Sequence, residues 1–398
     1  MIIPSARQII RREKWRLRPL KRLVLPFRNV KRQIVTFYRV LRRRPLPRIE
    51  RSTVEYVTAP ALGAAIELYP AEPVRFLPHP FGEKEGSIVT SKPAHVFELR
   101  DIDFWARYGG SVVTSDNRLL ADLSPEVWGV ENHPIFSTFR LPKSRRLAGH
   151  TAICVTPEAP GNYYHWLVDL LPRVALLKKV AGRFDNFDQI VINGSGASYE
   201  KDSLAALGVP SSKVLFADRQ DRFRILRATI PSMDHSSKIV APWKIRALRE
   251  IRNTLLDVTH STPKRIYVSR ERAAVRRVVN ETELVTILRE AGFNLIEVEL
   301  LPWAEQVRWF SNADMVIAPH GAALANIVFC QPNTLIAEIG TRAGYRDFYW
   351  RLAASASLRY RFFEARPRIE PGPGSRRAVE NEDMIVDEQE LKKFLHEL

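Results

Sequence analysis

The sequence predicts an α/β protein with two parallel, doubly wound sheets in tandem, and three observations support this. From residue 150 onward, short apolar runs alternate with helical segments of about 8–12 residues, which is the pattern of a parallel sheet with crossover helices. The alternation occurs twice, before and after the polar, turn-rich stretch 231–237. The length of 398 residues accommodates two domains of ordinary size. Two such sheets place a ligand cleft between the domains, at the carboxyl ends of the strands.

Composition divides the chain into three segments, with boundaries at residues 48 and 235. Residues 1–48 form a basic arm that ends at Pro45-Leu-Pro47. Residues 49–235 form an N-terminal domain whose first part, 50–145, is rich in Pro and Gly and contains a small hairpin over 111–120. We assign no function to that part and expect it to cover or extend the first domain. Residues 236–398 form a C-terminal domain.

The predicted elements follow in order from hydrophobic periodicity and from turn residues. The first series has strands at 151–155, 189–193, 213–216 and 224–230, and helices at 163–181 and 200–207. Pro172 is expected to kink the longer helix, and Gly208 to end the shorter one. The second series has strands at 265–269, 295–298, 315–318, 334–339 and 359–363. Its helices are predicted at 281–291, 302–313, 348–357 and 387–398, with a short helix from Ala322.

The positive charge of the chain is concentrated in the arm. The chain has a formal net charge of +17, from 61 Lys and Arg against 44 Asp and Glu. Residues 1–48 contain 16 Lys and Arg and one acid, Glu13, a net of +15, which leaves +2 for the remaining 350 residues. The folded body is therefore nearly neutral, which argues against a body that binds nucleic acid.

Within the arm, apolar side chains recur at helical spacing and basic side chains surround them. The apolar positions are Phe27, Val30, Ile34, Phe37 and Leu41. A cationic helix with such a face suits an anionic membrane surface, so we expect a cytoplasmic protein, peripheral on the inner face of the membrane. The sequence has no run of about 18 apolar residues to span a bilayer, and the arm is a poor secretory signal. The alternatives for the arm are a solvated tail and a nucleic-acid-binding segment.

The stretch 314–329 has the pattern of a phosphate site. A short apolar strand runs into His320-Gly321, and small helix-forming residues follow from Ala322, with Asn326 one turn further on. The first N–H groups of a helix have no partner within it and bind anions. Glu338 ends the next apolar run, so a nucleotide would place its diphosphate at the helix and its ribose hydroxyls at Glu338. The alternatives are a capping or core role for His320 and a chance carboxylate at the sheet edge.

Two further clusters carry candidate functional side chains. His165, Asp169 and Arg173 are spaced i, i+4 and i+8, so they share one face of the predicted 163–181 helix within an aromatic-rich start. The alternative is an Asp–Arg pair beside a surface histidine. The second cluster follows the strand 265–269 and consists of Arg270, Arg276, Arg277 and Asn280. Arginine binds diphosphate bidentately and stays charged, and strand ends hold ligands in such sheets; the alternative is a solvated basic loop.

In order along the chain, these segments resemble the signatures of glycosyltransferase family 61. The first is Asn162-x-x-His165-Trp166-Leu-x-Asp169-x-x-Pro172-Arg173, and the later ones are Ser269-Arg270, Arg276-Arg277-x-x-Asn280-Glu281, Glu305-Gln306, and His320-Gly321-Ala322 with Asn326. The resemblance is tight over about 160–175 and 264–340, looser over 95–230 and absent from the arm. Ala323 departs from the glycine that the family often has there. The resemblance implies a GT-B arrangement of two Rossmann-like domains and inverting sugar transfer from a nucleotide sugar, with bacterial-looking members associated with capsular or exopolysaccharide assembly.

Roles for the residues follow from this resemblance and from the patterns together. The donor would be held by Arg270, Arg276, Arg277, Asn280, His320, Gly321, Ala322, Asn326 and Glu338. Asp169 and His165 are the two candidates for the general base, with the choice between them open. Asn162, Arg173, Glu305 and Gln306 are expected to support the site. The acceptor is expected to be a saccharide or a lipid-linked saccharide.

We expect no cofactor and no metal. The chain lacks G-x-G-x-x-G and Walker motifs and has no His or Cys spacing for zinc. Asp101-Ile-Asp103 resembles the metal-binding pair of another glycosyltransferase class, but it lies in a meander-like region and is interpreted as a decoy. Cys154 and Cys330 sit in apolar stretches and are expected to be core residues of a protein in a reducing compartment.

Two other functions stay open at this point. A pyruvyl transferase or a phosphosugar-transferring enzyme on the same architecture would use a similar anion site. A non-catalytic protein that binds membranes or nucleic acid would act through the basic arm.

Overall fold

The fold is described from a computed structural model of the chain. It describes residues 32–39, 45–58, 62–82, 87–126, 129–234, 239–256, 262–369 and 380–397. Three positions of the predicted apolar face of the arm, Phe27, Val30 and Leu41, lie outside these ranges.

The first half of the chain builds a large sheet and a small two-stranded one. Its strands are β1 Arg48–Glu50, β2 Gly63–Tyr69, β3 Pro73–Arg75, β4 Ile88–Thr90, β5 Ala94–Trp105, β6 Ser111–Val113, β7 Arg118–Leu120, β8 Arg145–Cys154, β9 Gln189–Ile192, β10 Val214–Phe216 and β11 Arg222–Pro231. The order in the large sheet is β1-β7-β6-β5-β11-β8-β9-β10, with β2 also paired to β5, while β3 and β4 pair with each other.

The large sheet is mixed, and its parallel and antiparallel parts meet at β11. Strands β10, β9, β8 and β11 are all parallel, as the alternation from residue 150 predicts. On its other side β11 pairs antiparallel with β5, which continues into β6 and β7. The predicted hairpin over 111–120 is confirmed, and the 50–145 part extends this sheet. The expectation of a parallel first sheet is therefore correct for the strands from residue 150 onward, and the sheet as a whole is mixed because β5 from the 50–145 part pairs antiparallel with β11.

The second sheet is parallel throughout and matches the prediction closely. Its strands are β12 Arg265–Val268, β13 Asn294–Ile296, β14 Met315–Pro319, β15 Leu335–Gly340 and β16 Arg359–Glu364, in the order β13-β12-β14-β15-β16. Counted from its own first strand, the order is 2-1-3-4-5, that of a doubly wound sheet. The order reverses between β12 and β14, and a crevice opens at this point in sheets of this kind. Beside it, β17 Arg366–Pro367 and β18 Met384–Ile385 form a short ribbon.

Helices cover both sheets. The α-helices are α1 Thr53–Tyr56, α2 Tyr163–His165, α3 Leu171–Ala181, α4 Ser198–Ala206, α5 Pro242–Leu255, α6 Glu281–Glu290, α7 Trp303–Asn312, α8 Phe348–Ser355 and α9 Glu388–His396. The 3₁₀ helices are Ala121–Leu123, Val130–Asn132, Pro134–Phe136, Phe184–Asn186, Ser211–Lys213, Val298–Leu300, Ala322–Phe329 and Arg342–Gly344. The short helix predicted from Ala322 is thus a 3₁₀ helix.

The long helix predicted over 163–181 is continuous but has a wide turn in its middle. Between α2 and α3, residues Trp166–Leu170 are π-helical, and the N–H of Leu171 bonds the carbonyl of Trp166, five residues back. Pro172 explains the turn, because proline has no N–H and its ring excludes the carbonyl four residues earlier. Single π-turns of this kind are frequent at functional sites.

One apolar core joins the two sheets. It includes Cys154 and Trp166 from the first half and Ile266, Val316 and Phe329 from the second. The other face of each sheet has a cluster of its own. Both cysteines are free and fully buried, as predicted, and burial raises the pKa of each thiol to about 12.

Residues 32–39 of the arm are helical and pack against the first half of the chain. Val35 is buried, and the guanidinium of Arg39 donates a hydrogen bond of 3.0 Å to the carbonyl of Ile135. Ile34 and Phe37, from the predicted apolar face, are 53% and 69% exposed. Within the described ranges, no helix combines the length and apolarity needed to cross a bilayer.

Candidate active site

The switch point of the second sheet brings two predicted clusters together. The chain leaves β12 at Val268 and enters Ser269-Arg270, and it leaves β14 at Pro319 and enters His320-Gly321. Strands β12 and β14 are parallel neighbours, so both turns lie at the same edge of the sheet. This edge is where a doubly wound sheet binds its ligand.

Arg270 lies directly over Gly321. A Cβ atom added to Gly321 would be 1.7 Å from Nη1 of Arg270 and 2.5 Å from its Cζ. The φ of Gly321 is −177°, which any residue adopts, so glycine is required here by the close approach rather than by backbone conformation. The guanidinium is 9% exposed and donates one hydrogen bond of 3.1 Å to the carbonyl of Val275, while its Nε has no acceptor among the described residues.

Arg276 adds a second, half-buried cation beside the first. Its backbone is in the left-handed region, with φ of 59°, and its Nε is also buried without an acceptor in the described part of the chain. Burial lowers the pKa of both guanidinium groups, and the charge of Arg270 lowers that of Arg276 further. Two neighbouring like charges that are largely removed from water and have unused N–H groups are stabilised by an anion. The N–H groups at the start of the 3₁₀ helix Ala322–Phe329 follow directly after Gly321, so this edge is a candidate anion site.

A buried carboxylate, that of Glu338, fixes the position of His320. Nδ1 of His320 hydrogen-bonds Oε1 of Glu338, and the hydroxyl of Tyr360 donates a bond of 2.6 Å to Oε2. Glu338 is completely buried, with both oxygens occupied. It therefore has no oxygen open to ribose hydroxyls, and the predicted ribose contact does not fit this arrangement. The sequence could not show this, because Tyr360 lies 22 residues away on another strand.

A second polar cluster lies at the start of α2. Nδ1 of His165 is 2.7 Å from Oδ2 of Asp169, as the i, i+4 spacing predicts, and its Nε2 is 3.0 Å from Oε2 of Glu158. Asp169 also pairs with the buried ammonium of Lys244 at 3.3 Å. Burial lowers the pKa of His165, but the hydrogen bonds with the two carboxylates outweigh it and raise the pKa to about 9. His165 is thus an imidazolium at neutral pH.

Aromatic rings connect the two clusters. The ring of Tyr164 lies 5.4 Å from that of His165 and 6.0 Å from that of Tyr349. The hydroxyl of Tyr349 donates a bond of 2.5 Å to the carbonyl of Gly321, and its ring contacts His320 at 5.1 Å. The acid–histidine cluster of the first half therefore adjoins the anion site of the second.

Other predicted residues have structural partners. Asn326 accepts a bond of 2.5 Å from the hydroxyl of Tyr163 and donates one of 3.2 Å to Gln306, whose own amide bonds the carbonyls of Val298 and Leu301. Asn162 caps α2 by accepting from the N–H groups of Tyr164 and His165. These contacts support the predicted role of Asn162 and Gln306 as supporting residues, and they place Asn326 in the interior beside them.

Four more predicted residues hold the surrounding chain together. Arg277 pairs with Asp383 at 2.7 Å, and the amide of Asn280 exchanges two hydrogen bonds with the backbone of Val386, so both fasten the C-terminal segment. Glu305 pairs with Arg308 on its own helix. Arg173 is buried and donates to the carbonyls of Val155, Pro231 and Ser232, which lie at the ends of β8 and β11. The predicted i, i+4 contact between His165 and Asp169 is therefore present, and Arg173, four residues further on, uses its guanidinium to hold these strand ends.

The aspartate pair in β5 is used within the first sheet. Asp103 makes two hydrogen bonds of 2.7 and 2.8 Å with Arg222, and Asp101 makes two of 3.1 and 3.0 Å with Arg224. Both arginines lie on the neighbouring strand β11. The pair is thus a cross-strand ion-pair ladder, as the decoy interpretation requires. Among the described residues, no three His, Cys, Asp or Glu side chains form a group that could hold a metal ion.

Sequence reasoning missed several residues of the site. Glu158 stands in a Pro- and Gly-rich loop, and Lys244 stands in an ordinary helix, so neither had a local signal. Glu281 appeared only as part of a signature; it accepts bonds from the Tyr267 hydroxyl at 2.6 Å and the Ser269 hydroxyl at 3.0 Å. It also accepts from the N–H of Arg270 at 3.3 Å, so it shapes the turn that presents Arg270.

The parallel sheet with the strand order 2-1-3-4-5 and the arginines at its switch point define an α/β protein of the doubly wound class. Comparison with known families is more specific. Residues 163–337 match the model of the family described as Glycosyltransferase 61, so the chain carries a glycosyltransferase family 61 domain and the protein is a glycosyltransferase. The matched range contains His165, Asp169 and the switch point with Arg270 and His320, while Glu158 and Glu338 lie just outside it. No curated protein matches the chain.

Proposed function

We propose that the protein is an inverting, metal-independent glycosyltransferase with a GT-B-like arrangement, which transfers a sugar from a nucleotide-diphosphate donor to a saccharide acceptor. The observation that carries the proposal is the pair formed by the buried Arg270 and the half-buried Arg276, whose Nε groups are both buried without an acceptor among the described residues, beside a helix start. A diphosphate supplies the negative charge that balances two guanidinium groups, and its geometry matches bidentate arginine contacts.

The donor diphosphate would lie across the turn at Gly321, between the guanidinium groups and the N–H groups that follow. As the bond between sugar and diphosphate breaks, negative charge grows on the leaving group. Preorganised cations and N–H groups stabilise that charge in the transition state more than in the ground state. In this proposal Glu338 positions His320, and Arg277, Asn280 and Asn326 support the site rather than contact the donor.

The acceptor hydroxyl would enter from the cluster around His165 and Asp169. Inversion requires one base on the face of the sugar opposite the leaving group. The ring contacts of Tyr164 and Tyr349 place this cluster next to the anion site. Bacterial-looking members of the family that the sequence resembles are associated with capsular or exopolysaccharide assembly. We therefore propose that the acceptor is a growing surface polysaccharide or its lipid-linked precursor.

Calorimetry with nucleoside diphosphates tests the donor site. Arg270→Ala should weaken binding by about 1.5–3 kcal/mol, roughly ten- to a hundredfold in Kd, because a charge-assisted hydrogen bond is lost. Arg272→Ala is the matched control, since Arg272 pairs with Glu297 at the surface two residues away. Equal affinity in the two variants would contradict the assignment.

A screen of nucleotide sugars for hydrolysis and transfer, run with and without EDTA, tests the reaction itself. Transfer that persists in EDTA supports metal independence, and transfer that needs an added divalent cation overturns it. If no nucleoside diphosphate raises the unfolding temperature, the donor class is wrong, because a bound ligand stabilises the folded state by mass action. Transfer of a pyruvyl or phosphosugar group in the same screen would establish the alternative enzyme.

We also propose that the N-terminal arm docks the enzyme on an anionic membrane surface. In the helical segment 32–39, Val35 and Arg39 face the body, while Ile34 and Phe37 are exposed. Sixteen Lys and Arg within residues 1–48 supply charge complementary to anionic lipids. An exposed apolar pair within a strongly basic segment is the composition of an interfacial helix.

Vesicle sedimentation of the full chain tests this docking. Ile34→Gln with Phe37→Gln should weaken binding to vesicles of anionic lipid about tenfold or more, because two apolar side chains no longer enter the interface. Leu226→Gln is the control, since Leu226 is similarly exposed on β11. Equal binding by wild type and the double variant, or preference for DNA over vesicles, would refute the proposal.

A further inference from the structure

The loop that joins β8 to α2 holds a glutamate in an unusual backbone conformation. Glu158 has a φ of 63°, in the left-handed region that residues with a Cβ rarely adopt. It stands between Pro157 and Ala159-Pro160, and Gly161, with φ of 69°, follows. Strained backbone that persists in a folded protein concentrates at functional sites.

The contacts of His165 show which groups at α2 are able to accept a proton. Its Nδ1 faces Asp169 at 2.7 Å and its Nε2 faces Glu158 at 3.0 Å. A neutral imidazole carries one N–H, so hydrogen bonds to two carboxylates require the imidazolium. The raised pKa of His165, about 9, agrees with this geometry. His165 therefore has no free lone pair for an acceptor proton at neutral pH.

The two carboxylates differ in accessibility. The side chain of Asp169 is 14% exposed and lies between His165 and the buried Lys244. The side chain of Glu158 is 58% exposed and lies at the outer end of this row of alternating charges. Of the two, Glu158 is the one that an incoming hydroxyl group reaches.

We propose that Glu158 is the general base that faces the acceptor, with His165 as a positioning residue held by Asp169 and Lys244. This rests on the proposed function. The proton of the acceptor hydroxyl passes to the Glu158 carboxylate, and the acceptor oxygen forms a bond to the anomeric carbon of the sugar. The bond from that carbon to the diphosphate oxygen breaks, and its electron pair leaves on the diphosphate beside Arg270 and Arg276.

The strained backbone makes a sharp test available. Glu158→Gly removes the carboxylate and its pair with His165 but also relieves the left-handed conformation, so the two effects on stability oppose each other and the variant should stay folded. Its kcat for sugar transfer should fall about 10²–10⁴-fold, the usual loss for a general base, while its affinity for the nucleoside diphosphate stays unchanged. Glu158→Asp should recover part of the rate. Asn333→Gly is the matched control, because Asn333 also has a left-handed φ, of 67°, and lies away from both clusters; it should transfer normally.

Four outcomes decide the inference. A rate for Glu158→Gly within a few-fold of the wild type overturns it while the proposed function stands. A raised acceptor KM with unchanged kcat also overturns it, because Glu158 would then bind the acceptor without taking its proton. If the wild-type enzyme neither binds nucleoside diphosphates nor transfers sugar, the result contradicts the proposed function itself. Loss of kcat in Glu158→Gly with retained folding and donor binding supports the assignment, and Asp169→Asn should then change the pH profile of kcat.

Discussion

The close approach of Arg270 to Gly321 predicts that the smallest substitution in this turn, Gly321→Ala, disables the anion site. The added Cβ would lie 1.7 Å from Nη1 and 2.5 Å from Cζ of Arg270. Both distances are far below van der Waals contact, so the guanidinium must move. The backbone of Gly321 is extended and accepts alanine without strain. The effect of the substitution therefore acts through Arg270.

The expected magnitudes separate binding from stability. A displaced guanidinium loses its charged hydrogen bond to the diphosphate, which weakens binding by about 1.5–3 kcal/mol, roughly ten- to a hundredfold in Kd. Within the protein, Arg270 donates one bond, to the carbonyl of Val275, and losing it lowers the free energy of unfolding by about 1 kcal/mol. Calorimetry with a nucleoside diphosphate measures the first quantity, and urea unfolding measures the second.

A double-mutant cycle with Arg270→Ala is the control for this reasoning. If alanine at position 321 acts only by displacing Arg270, it has no further effect on affinity when Arg270 is already absent. Wild-type affinity in Gly321→Ala would refute the steric argument. Fully additive losses in the double variant would show that Gly321 acts on the donor by another route.

Three other predictions follow from the contacts. His165 has a pKa raised from 6.5 to about 9, so its stabilisation is present below pH 6.5 and is lost as the pH rises through 9. The free energy of unfolding of the wild type, relative to His165→Asn, should thus fall by about 3 kcal/mol over that range in urea titrations. Asn at both Asp101 and Asp103 should leave the transfer rate unchanged, since these carboxylates pair with arginines of β11; a large rate loss would contradict this. Arg173→Met should lower the free energy of unfolding by about 3 kcal/mol, because buried carbonyls lose their donor, with normal nucleotide affinity in the folded fraction.

The second sheet could be predicted from the sequence strand by strand, and the first only in part. Strands such as 315–319 are buried on both faces, so they appear as continuous apolar runs between helices. The large first sheet depends on the pairing of β5 with β11, two strands separated by more than 100 residues. No local pattern encodes such a pairing, so the mixed character of the sheet emerged only from the structure.

The candidate site, too, could be predicted from the sequence only in part. The positions of Arg270 and Gly321 could be predicted, because a residue that follows a parallel strand lies at a known edge of the sheet. The role of each side chain could not, since it depends on partners far along the chain. Glu338 appeared to be a ribose ligand until Tyr360 and His320 were found to occupy both of its oxygens. No sequence pattern pointed to Glu158, because its left-handed backbone and its contact with His165 exist only in the folded loop.

A buried hydrogen-bond network sets the spacing between the two clusters. The hydroxyl of Tyr163, two residues before His165, donates to Asn326 in the 3₁₀ helix that follows Gly321, and it accepts a bond of 3.0 Å from the indole of Trp303. Breaking one member of such a network leaves other buried polar groups unpaired, which costs more than the single bond. The helix start that carries His165 and the helix start that would bind the diphosphate are therefore coupled through side chains in a shared core. In the proposed reaction, the distance between the acceptor base and the leaving group would thus be set by interior packing, before either substrate binds.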